Sequence, residues 1–301
     1  MRYLVSRRLL ASLVVAFMAC IGTPAAHADT PPPPGANNWN CRPGSLLKPQ
    51  PRPVILVHGT FENMFDNWGL LSSTLSTLGY CVYALNYGEN PYSAGVIYGL
   101  DRIENSAAQL AAFVNRVLAS TRASKVDIVG HSQGGMMPRY YLKYLGGASK
   151  VNHLIGLAPS NHGTDLGGLL TLAGYFPAFQ PYADQIRAGG EAVAANICPA
   201  CVQQLKDSDF LTTLNAGGET LPDVKYTVIA TRYDEVVTPY TSAFLAGGSH
   251  VRNITLQDEC PFDPVEHIFL PHDPVAINLV VNALNPATGI VSPSFYCGGR
   301  F

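Results

Sequence analysis

Charged residues are scarce in this chain, at 13% of 301 residues where an average soluble domain carries roughly 25%. Neither sign dominates: 19 Lys and Arg stand against 21 Asp and Glu. There is no basic stripe of the kind nucleic acid demands, so DNA and RNA are not expected partners. The apolar run from Leu9 to Gly22 is shorter than the roughly 20 residues that cross a bilayer, and no transmembrane span is expected. One Cys-x-x-Cys occurs, at Cys198 to Cys201, with no second to complete four zinc ligands. Carboxylates are scattered rather than clustered, so no metal is expected. Internal repeats are also missing.

The first segment reads as a secretory leader over residues 1–28. Arg2, Arg7 and Arg8 precede the apolar run, and Ala26-His27-Ala28 is a small-x-small cleavage pattern. Export is therefore expected, and removal of the leader leaves 16 basic against 21 acidic residues. Six of the seven cysteines follow it: Cys41, Cys81, Cys198, Cys201, Cys260 and Cys297. An even number in an exported chain predicts disulfides, and residue types alone leave 15 pairings open. Residues 29–50 form a proline-rich arm, with Pro31 to Pro34 at its start.

From residue 51 to 301 short apolar runs alternate with helical patterns. Val54 to Val57, Cys81 to Leu85, Val126 to Val129, His153 to Leu157, Lys225 to Ala230 and Val251 to Leu256 have the near-continuous hydrophobicity of strands covered on both faces. Between them, Ile103, Ala107, Leu110, Val114 and Val117 recur at helical spacing. The pattern predicts one α/β domain with a mostly parallel central sheet flanked by helices. Residues 164–190 break the rhythm. Leu166, Leu169, Leu170, Leu172, Tyr175, Phe176 and Phe179 crowd among Gly and Pro there, as in a short apolar cap or lid, and equally as in a packed excursion that stays put.

Chemistry concentrates at Lys125 to Met136, KVDIVGHSQGGM, where a strand pattern runs into Gly130-His131-Ser132-Gln133-Gly134 and then a helix. A serine on so sharp a strand-to-helix turn projects its hydroxyl above the sheet, and the turn tolerates only small residues two positions either side. Gly130 and Gly134 hold those positions. The first amides of the following helix lack partners and supply positive potential where an oxyanion forms. Ser132 is thus placed for acyl transfer, and a serine nucleophile needs a histidine base oriented by a carboxylate.

Asp234, directly after the strand Lys225 to Ala230, is the leading acid, with Glu235 one residue away. His267, in the proline-broken loop Cys260 to His267, is the leading base. His250 and His272 compete with it; His272 sits at a helix start where Asp273 has an N-capping role. His58 and His131 flank glycines and more naturally shape the site, and His153 reads as a core histidine. Two backbone amides should meet the developing charge. Gln133 offers one and Thr60, in the loop after Val54 to Val57, the other, with the Thr60 hydroxyl as a third donor. Phe61, Phe65 and Trp68 follow closely and are candidates for an acyl pocket or for ordinary core; Leu169 and Phe176 are the cap residues expected to meet substrate.

Gly-His-Ser-Gln-Gly-Gly at 130–135, His-Gly-Thr at 58–60, Ala-Thr-Arg-Tyr-Asp-Glu-Val-Val-Thr-Pro at 230–239 and the Glu-His pair at 266–267 followed by Asp-Pro-Val-Ala together resemble secreted α/β-hydrolase lipases of actinobacteria. These are similar to the compact fungal lipase B type. The likeness covers roughly residues 40–285 and departs at His58, where the fungal type has proline. It implies the α/β-hydrolase fold and cofactor-free hydrolysis of triacylglycerols and esters, with Ser132 as nucleophile, Asp234 as acid, His267 as base and Thr60 with Gln133 as oxyanion donors. It also implies a Cys41–Cys81 disulfide; Cys198 with Cys201 would then close a tight loop, leaving Cys260 with Cys297.

The resulting expectation is an exported, monomeric serine ester hydrolase, foremost a triacylglycerol lipase working at an oil-water interface. A soluble short-chain esterase or polyesterase and an exported acyltransferase are the enzymatic alternatives. An inactive surface-binding protein with a hydrolase fold is the alternative from another class.

Overall fold

The apolar runs become six parallel strands in a computed structural model that describes residues 30–285 and residue 297. Residues 1–29, 286–296 and 298–301, which include the expected leader, lie outside the described residues. In chain order the strands are β1 (Val54–Val57), β2 (Val82–Leu85), β3 (Val126–His131), β4 (Val151–Leu157), β5 (Lys225–Ala230) and β6 (Val251–Thr255). They lie in the spatial order β2-β1-β3-β4-β5-β6, and every pairing is parallel. This is the α/β-hydrolase arrangement.

Alternation along each strand divides the core between two faces. On β1, Ile55 and Val57 pack into one buried cluster and Val54 and Leu56 into the other. Helices α1 (Met64–Thr77) and α9 (Pro274–Leu284) cover the second cluster through residues such as Trp68, Leu71 and Val280. On the first, α2 (Ile103–Thr121) and α3 (Gln133–Tyr144) contribute Ile103, Ala107, Leu110, Val114, Val117 and Met136. The stripe read from the sequence is the buried face of α2. Asp273 caps α9 by accepting from Ala276 N–H at 2.7 Å, as its position predicts.

Residues 164–190 are helical rather than irregular. Helix α4 (Leu166–Gly174), capped by Asp165, leads through a turn at Pro177–Phe179 into α5 (Gln180–Ile197), which is broken at Gly190 by a φ of 66°. Gly190 is therefore a joint between two helical pieces, and the helical path continues past the expected end of the segment. Shorter helices α6 (Pro199–Gln203) and α7 (Asp209–Asn215) return the chain to β5, and the single turn α8 (Leu256–Glu259) follows β6.

Disulfides join Cys41 to Cys81, Cys198 to Cys201 and Cys260 to Cys297. The first ties the proline-rich arm to the start of β2. Among the described residues no helix is long and apolar enough to cross a membrane, and no group of three or more His, Cys, Asp or Glu is placed to hold a metal ion.

Candidate active site

In a parallel sheet the side chains that follow the strands gather at one rim, because every strand ends on the same side. Here the rim collects the loop after β1, the turn after β3, the loop after β5 and the loop before α9. Ser132 occupies the turn after β3 with φ 53° and ψ −124°, a backbone that L-residues rarely adopt and that a surrounding structure must hold in place. A Cβ at Gly130 would fall 1.8 Å from the carbonyl oxygen of Gly134, and one at Gly134 would fall 2.1 Å from that of Val57. Both neighbours are backbone and have no room to yield. The glycines are thus required by contact between the two sides of the elbow and with β1.

The loop after β1 runs directly beside the serine: a Cβ at Gly59 would lie 3.1 Å from Ser132 Cβ. Neither the Thr60 nor the Gln133 backbone N–H has an acceptor among the described residues, and both residues are fully buried. Buried amides are almost always paired, so two unpaired ones at this spot are what an oxyanion hole leaves open. The side chains brace one another as well. Gln133 Nε2 donates to Thr60 Oγ1 and to the Gly99 carbonyl, each at 2.9 Å, and Gln204 Nε2 donates to Thr60 Oγ1 at 2.9 Å. The Thr60 hydroxyl accepts twice, which leaves its own proton to donate.

His267 and Asp234 are in contact. His267 Nδ1 lies 3.0 Å from both carboxylate oxygens of Asp234. Asp234 Oδ1 also accepts the backbone N–H groups of Val236 at 3.0 Å and Val237 at 2.7 Å, so the loop after β5 fixes the carboxylate. Glu235 serves differently: its side chain accepts the His267 backbone N–H at 3.2 Å. Burial alone would lower the basicity of His267, but the charge and hydrogen bond of Asp234, helped by Glu235 and Glu62, outweigh it and hold the imidazole above its ordinary value. His267 Nε2 is buried and has no hydrogen-bond partner among the described residues. No hydrogen bond joins it to the Ser132 hydroxyl in this arrangement. The serine nonetheless adjoins His131, whose ring lies 4.9 Å from that of His267.

His153, His250 and His162 are engaged elsewhere. His153 bonds Thr227 Oγ1 at 3.0 Å inside the core, as expected, and burial pushes it down to about 4. His250 reaches Thr220 Oγ1, and His162 sits between Glu219 and the Ser242 carbonyl. His58 stacks on Tyr87 with ring centres 4.4 Å apart. Burial likewise holds it down, at about 4, so it enters the site as a neutral ring. Asp263 and Glu266, two other carboxylates near His267 in the chain, accept backbone N–H groups of their own loop, from Val265 and Ile268.

Helix α4 docks on the acid loop. Thr164 Oγ1 donates to the Val236 carbonyl, a Cβ at Gly168 would fall 2.4 Å from that same oxygen, and the Tyr175 hydroxyl donates to Glu235 at 3.3 Å. Phe61 packs on Phe179 at 4.3 Å and on Phe176 at 6.0 Å, with Leu169 buried in the same cluster. Phe61, Leu169 and Phe176 are therefore brought together, whereas Trp68 is core on the opposite face of the sheet and Phe65 is 43% exposed. Those last two depart from a pocket role because α1 turns Trp68 under the sheet and Phe65 outward. With the segment in place Ser132 is 2% exposed and His267 fully buried.

Residues missed in the sequence are Glu62, Asn67 and Gln204, all polar, buried and within this network. Glu62 follows Thr60 by two positions, which is a weak signal; Gln204 carried none.

Residues 51–278 match the family profile described as Lipase (class 2). The chain is 40% identical over 93 residues to a triacylglycerol lipase of Pseudarthrobacter phenanthrenivorans, covering 29% of this chain and 27% of that protein. The same identity and length relate it to a triacylglycerol lipase of Burkholderia plantarii, of which 24% is covered. The chain thus spans about a quarter of the length of these curated relatives. Among solved structures, Aspergillus fumigatus lipase B superposes with a TM-score of 0.63 at 23% identity, over 90% of this chain and 67% of that one. The mature form of Bacillus licheniformis lipase BlEst2 gives 0.53 at 15% identity, over 82% and 94%.

Proposed function

The chain belongs to the class 2 lipase family, and from that membership we propose that it is an exported serine ester hydrolase, a triacylglycerol lipase. Ser132 attacks the ester carbonyl, and His267 takes its proton at Nε2 and returns it to the leaving alcohol. Asp234 keeps the other ring nitrogen protonated. The oxyanion is met by the N–H groups of Thr60 and Gln133 and by the Thr60 hydroxyl. Water then repeats the attack on the acyl-enzyme and releases the acid. The observation that carries this reading is the pair of buried, acceptor-free amides beside a strained serine, with a buried His–Asp pair across the rim.

Export and an oil-water interface belong to the same reading. Three disulfides suit an oxidising compartment. Large apolar side chains stand exposed on the loops that carry the machinery: Tyr233 beside Asp234, and Phe262 and Phe269 on either side of His267, with Phe262 86% exposed. The segment 164–190 acts as a lid, since it packs on both the oxyanion loop and the acid loop and the serine beneath is nearly shielded from solvent. Phe61, Leu169 and Phe176 then line the path of the acyl chain.

A fluorophosphonate probe together with a graded series of fatty esters, dissolved and emulsified, tests the proposal. Labelling at Ser132 that Ser132→Ala removes, with rates rising once the ester forms droplets, is the expected result. Labelling without any preference for emulsified substrate moves the chain to the short-chain esterases, and an inert Ser132 ends the reading.

A further inference from the structure

Glu62 lies behind the oxyanion loop, 5% exposed, with each carboxylate oxygen engaged. Oε2 accepts the Gly59 backbone N–H at 2.6 Å and faces His131 Nδ1 at 2.9 Å, while Oε1 accepts from Asn67 Nδ2 at 2.8 Å. Burial works against ionisation of this carboxyl, yet the charge and hydrogen bond of His131 overcome it and hold Glu62 below its ordinary value. On its far side the His131 ring meets the His267 carbonyl oxygen through Nε2 at 3.0 Å. His131 thus stands between the two loops, with Nδ1 facing Glu62 Oε2 and lying 3.1 Å from Asn67 Nδ2, and Nε2 facing the His267 carbonyl. Gly59 makes room for the arrangement, since a Cβ there would fall 2.4 Å from Glu62 Oε2.

The two backbone groups held in this way are not neighbours in the chain. One precedes Thr60 and the other belongs to the base itself. We propose that Glu62 and His131 are a positioning pair that fixes the oxyanion loop and the His267 loop relative to each other, through hydrogen bonds to the Gly59 N–H and the His267 carbonyl. The pair does not touch the reacting atoms. It sets the distance between the groups that do, and it rests on the roles given above to Thr60, Ser132 and His267.

Stability alone does not account for these residues. A buried polar pair built on a carboxylate is on balance a poor source of stability, since even a full ion pair is often replaced at no cost by apolar side chains of equal volume. Apolar side chains would fill the space between β1, α1 and β3 equally well. What they lack is the means to hold an amide on one loop and a carbonyl on another, the first next in the chain to Thr60 and the second within His267 itself. Misplacement of catalytic groups by roughly 1 Å costs on the order of 10²-fold in rate, so a rigid link between the loops has catalytic value that leaves substrate affinity untouched.

The test measures kcat and KM on a dissolved p-nitrophenyl ester, fluorophosphonate labelling rate and thermal transition for Glu62→Gln, His131→Gln and the double variant. Each single variant is expected to lose on the order of 10²-fold in kcat with KM nearly unchanged. The double variant should be scarcely worse than either single one, because the two act as a unit. Full kcat in a folded Glu62→Gln or His131→Gln protein, or losses that multiply in the double variant, would overturn the proposal. If the substitutions prevent folding, Asn67→Ala decides: it withdraws the Asn67 Nδ2 contacts to Glu62 Oε1 and His131 Nδ1 and leaves both members of the pair, so a loss of about tenfold in kcat is expected, on the order of one hydrogen bond of positioning, and full kcat overturns the idea. Ser132→Ala is run alongside. Activity retained there sinks the serine-hydrolase reading itself, whereas activity lost there but kept in all the positioning variants sinks only the pair.

Discussion

Both carboxylate oxygens of Asp234 lie 3.0 Å from the same nitrogen of His267, and neither side chain is reached by solvent. A carboxylate in that position keeps the proton on Nδ1 and stabilises the imidazolium that forms when Nε2 accepts another. Because burial opposes the charged ring and Asp234 favours it more strongly, His267 titrates above its ordinary 6.5. The base must be neutral to accept a proton. The low-pH limb of kcat/KM is therefore expected to rise with pH through a midpoint above 6.5. Stability runs the other way: a value raised in the folded state means that the His267 contribution is fully present below the unfolded value and fades as pH climbs through the folded one. A pH–rate profile combined with denaturant titrations on either side of 6.5 checks both signs, and a limb midpoint below 6.5 would contradict the ion-pair account.

Asp234→Asn should preserve the shape of the loop after β5, since the amide oxygen can still accept from Val236 and Val237. It loses the charge and favours the wrong ring tautomer. A fall in kcat of roughly 10⁴-fold is expected on the triad precedent, with the limb of the pH profile moving down. The corresponding amide substitutions at Asp263 and Glu266 should cost little in comparison, as these carboxylates accept backbone N–H groups of their own loop and neither bonds His267 Nδ1. If Glu266→Gln matched Asp234→Asn, the acid would have been assigned to the wrong residue.

Sequence disclosed the parts of this site whose residue type follows from local geometry. Gly130, Ser132 and Gly134 were readable because a sharp turn admits few residues, and β1 and β5 because a strand covered on both faces is apolar almost without interruption. Asp273 at the start of α9 is a local signal of the same kind. The helical character of 164–190 was hidden by Gly167, Gly168, Gly174 and Pro177, which weaken any local helical preference; α4 and α5 form because their apolar faces pack on Phe61 and on one another. Glu62, Asn67 and Gln204 were hidden for a deeper reason. A buried carboxylate or amide looks like a surface residue until the fold supplies its partners from 69, 64 or 144 positions away, and no local pattern encodes that convergence.

The glycine argument carries its own prediction. A methyl group at Gly134 would meet the carbonyl oxygens of Val57 and His58 at 2.1 and 2.3 Å, and relief would require β1 to leave its register with β3. Overpacking of this kind costs about 1–3 kcal/mol, more where backbone must move. Gly134→Ala should therefore lower the thermal midpoint and abolish activity together, whereas Gly174→Ala, with no atom near its added methyl, should leave the midpoint unchanged or slightly raised. Calorimetry on the two variants decides the matter, and an unaltered midpoint in Gly134→Ala would mean that the elbow is less tightly held than its contacts imply.

Thr60 offers the sharpest separation of binding from chemistry. Its hydroxyl accepts from Gln133 and from Gln204, so both lone-pair directions are taken and the proton has to point elsewhere. In the proposed reaction that direction is the oxyanion, which exists only after Ser132 has attacked. Thr60→Val keeps the volume and the backbone N–H and removes only the hydroxyl. One oxyanion donor is worth about 10² to 10³ in kcat, so a loss of that order is expected with KM little changed. Thr60→Ser keeps the hydroxyl and should recover most of the rate. Valine also takes one acceptor from each of two buried amide groups, which keep only the Gly99 and Ala200 carbonyls; that costs stability, and the thermal midpoint must be measured beside the kinetics to separate the two effects. A Thr60→Val enzyme with a lowered midpoint but normal kcat would reduce the hydroxyl to a brace for Gln133 and Gln204. In that case the charge would be stabilised by the Thr60 and Gln133 backbone amides alone.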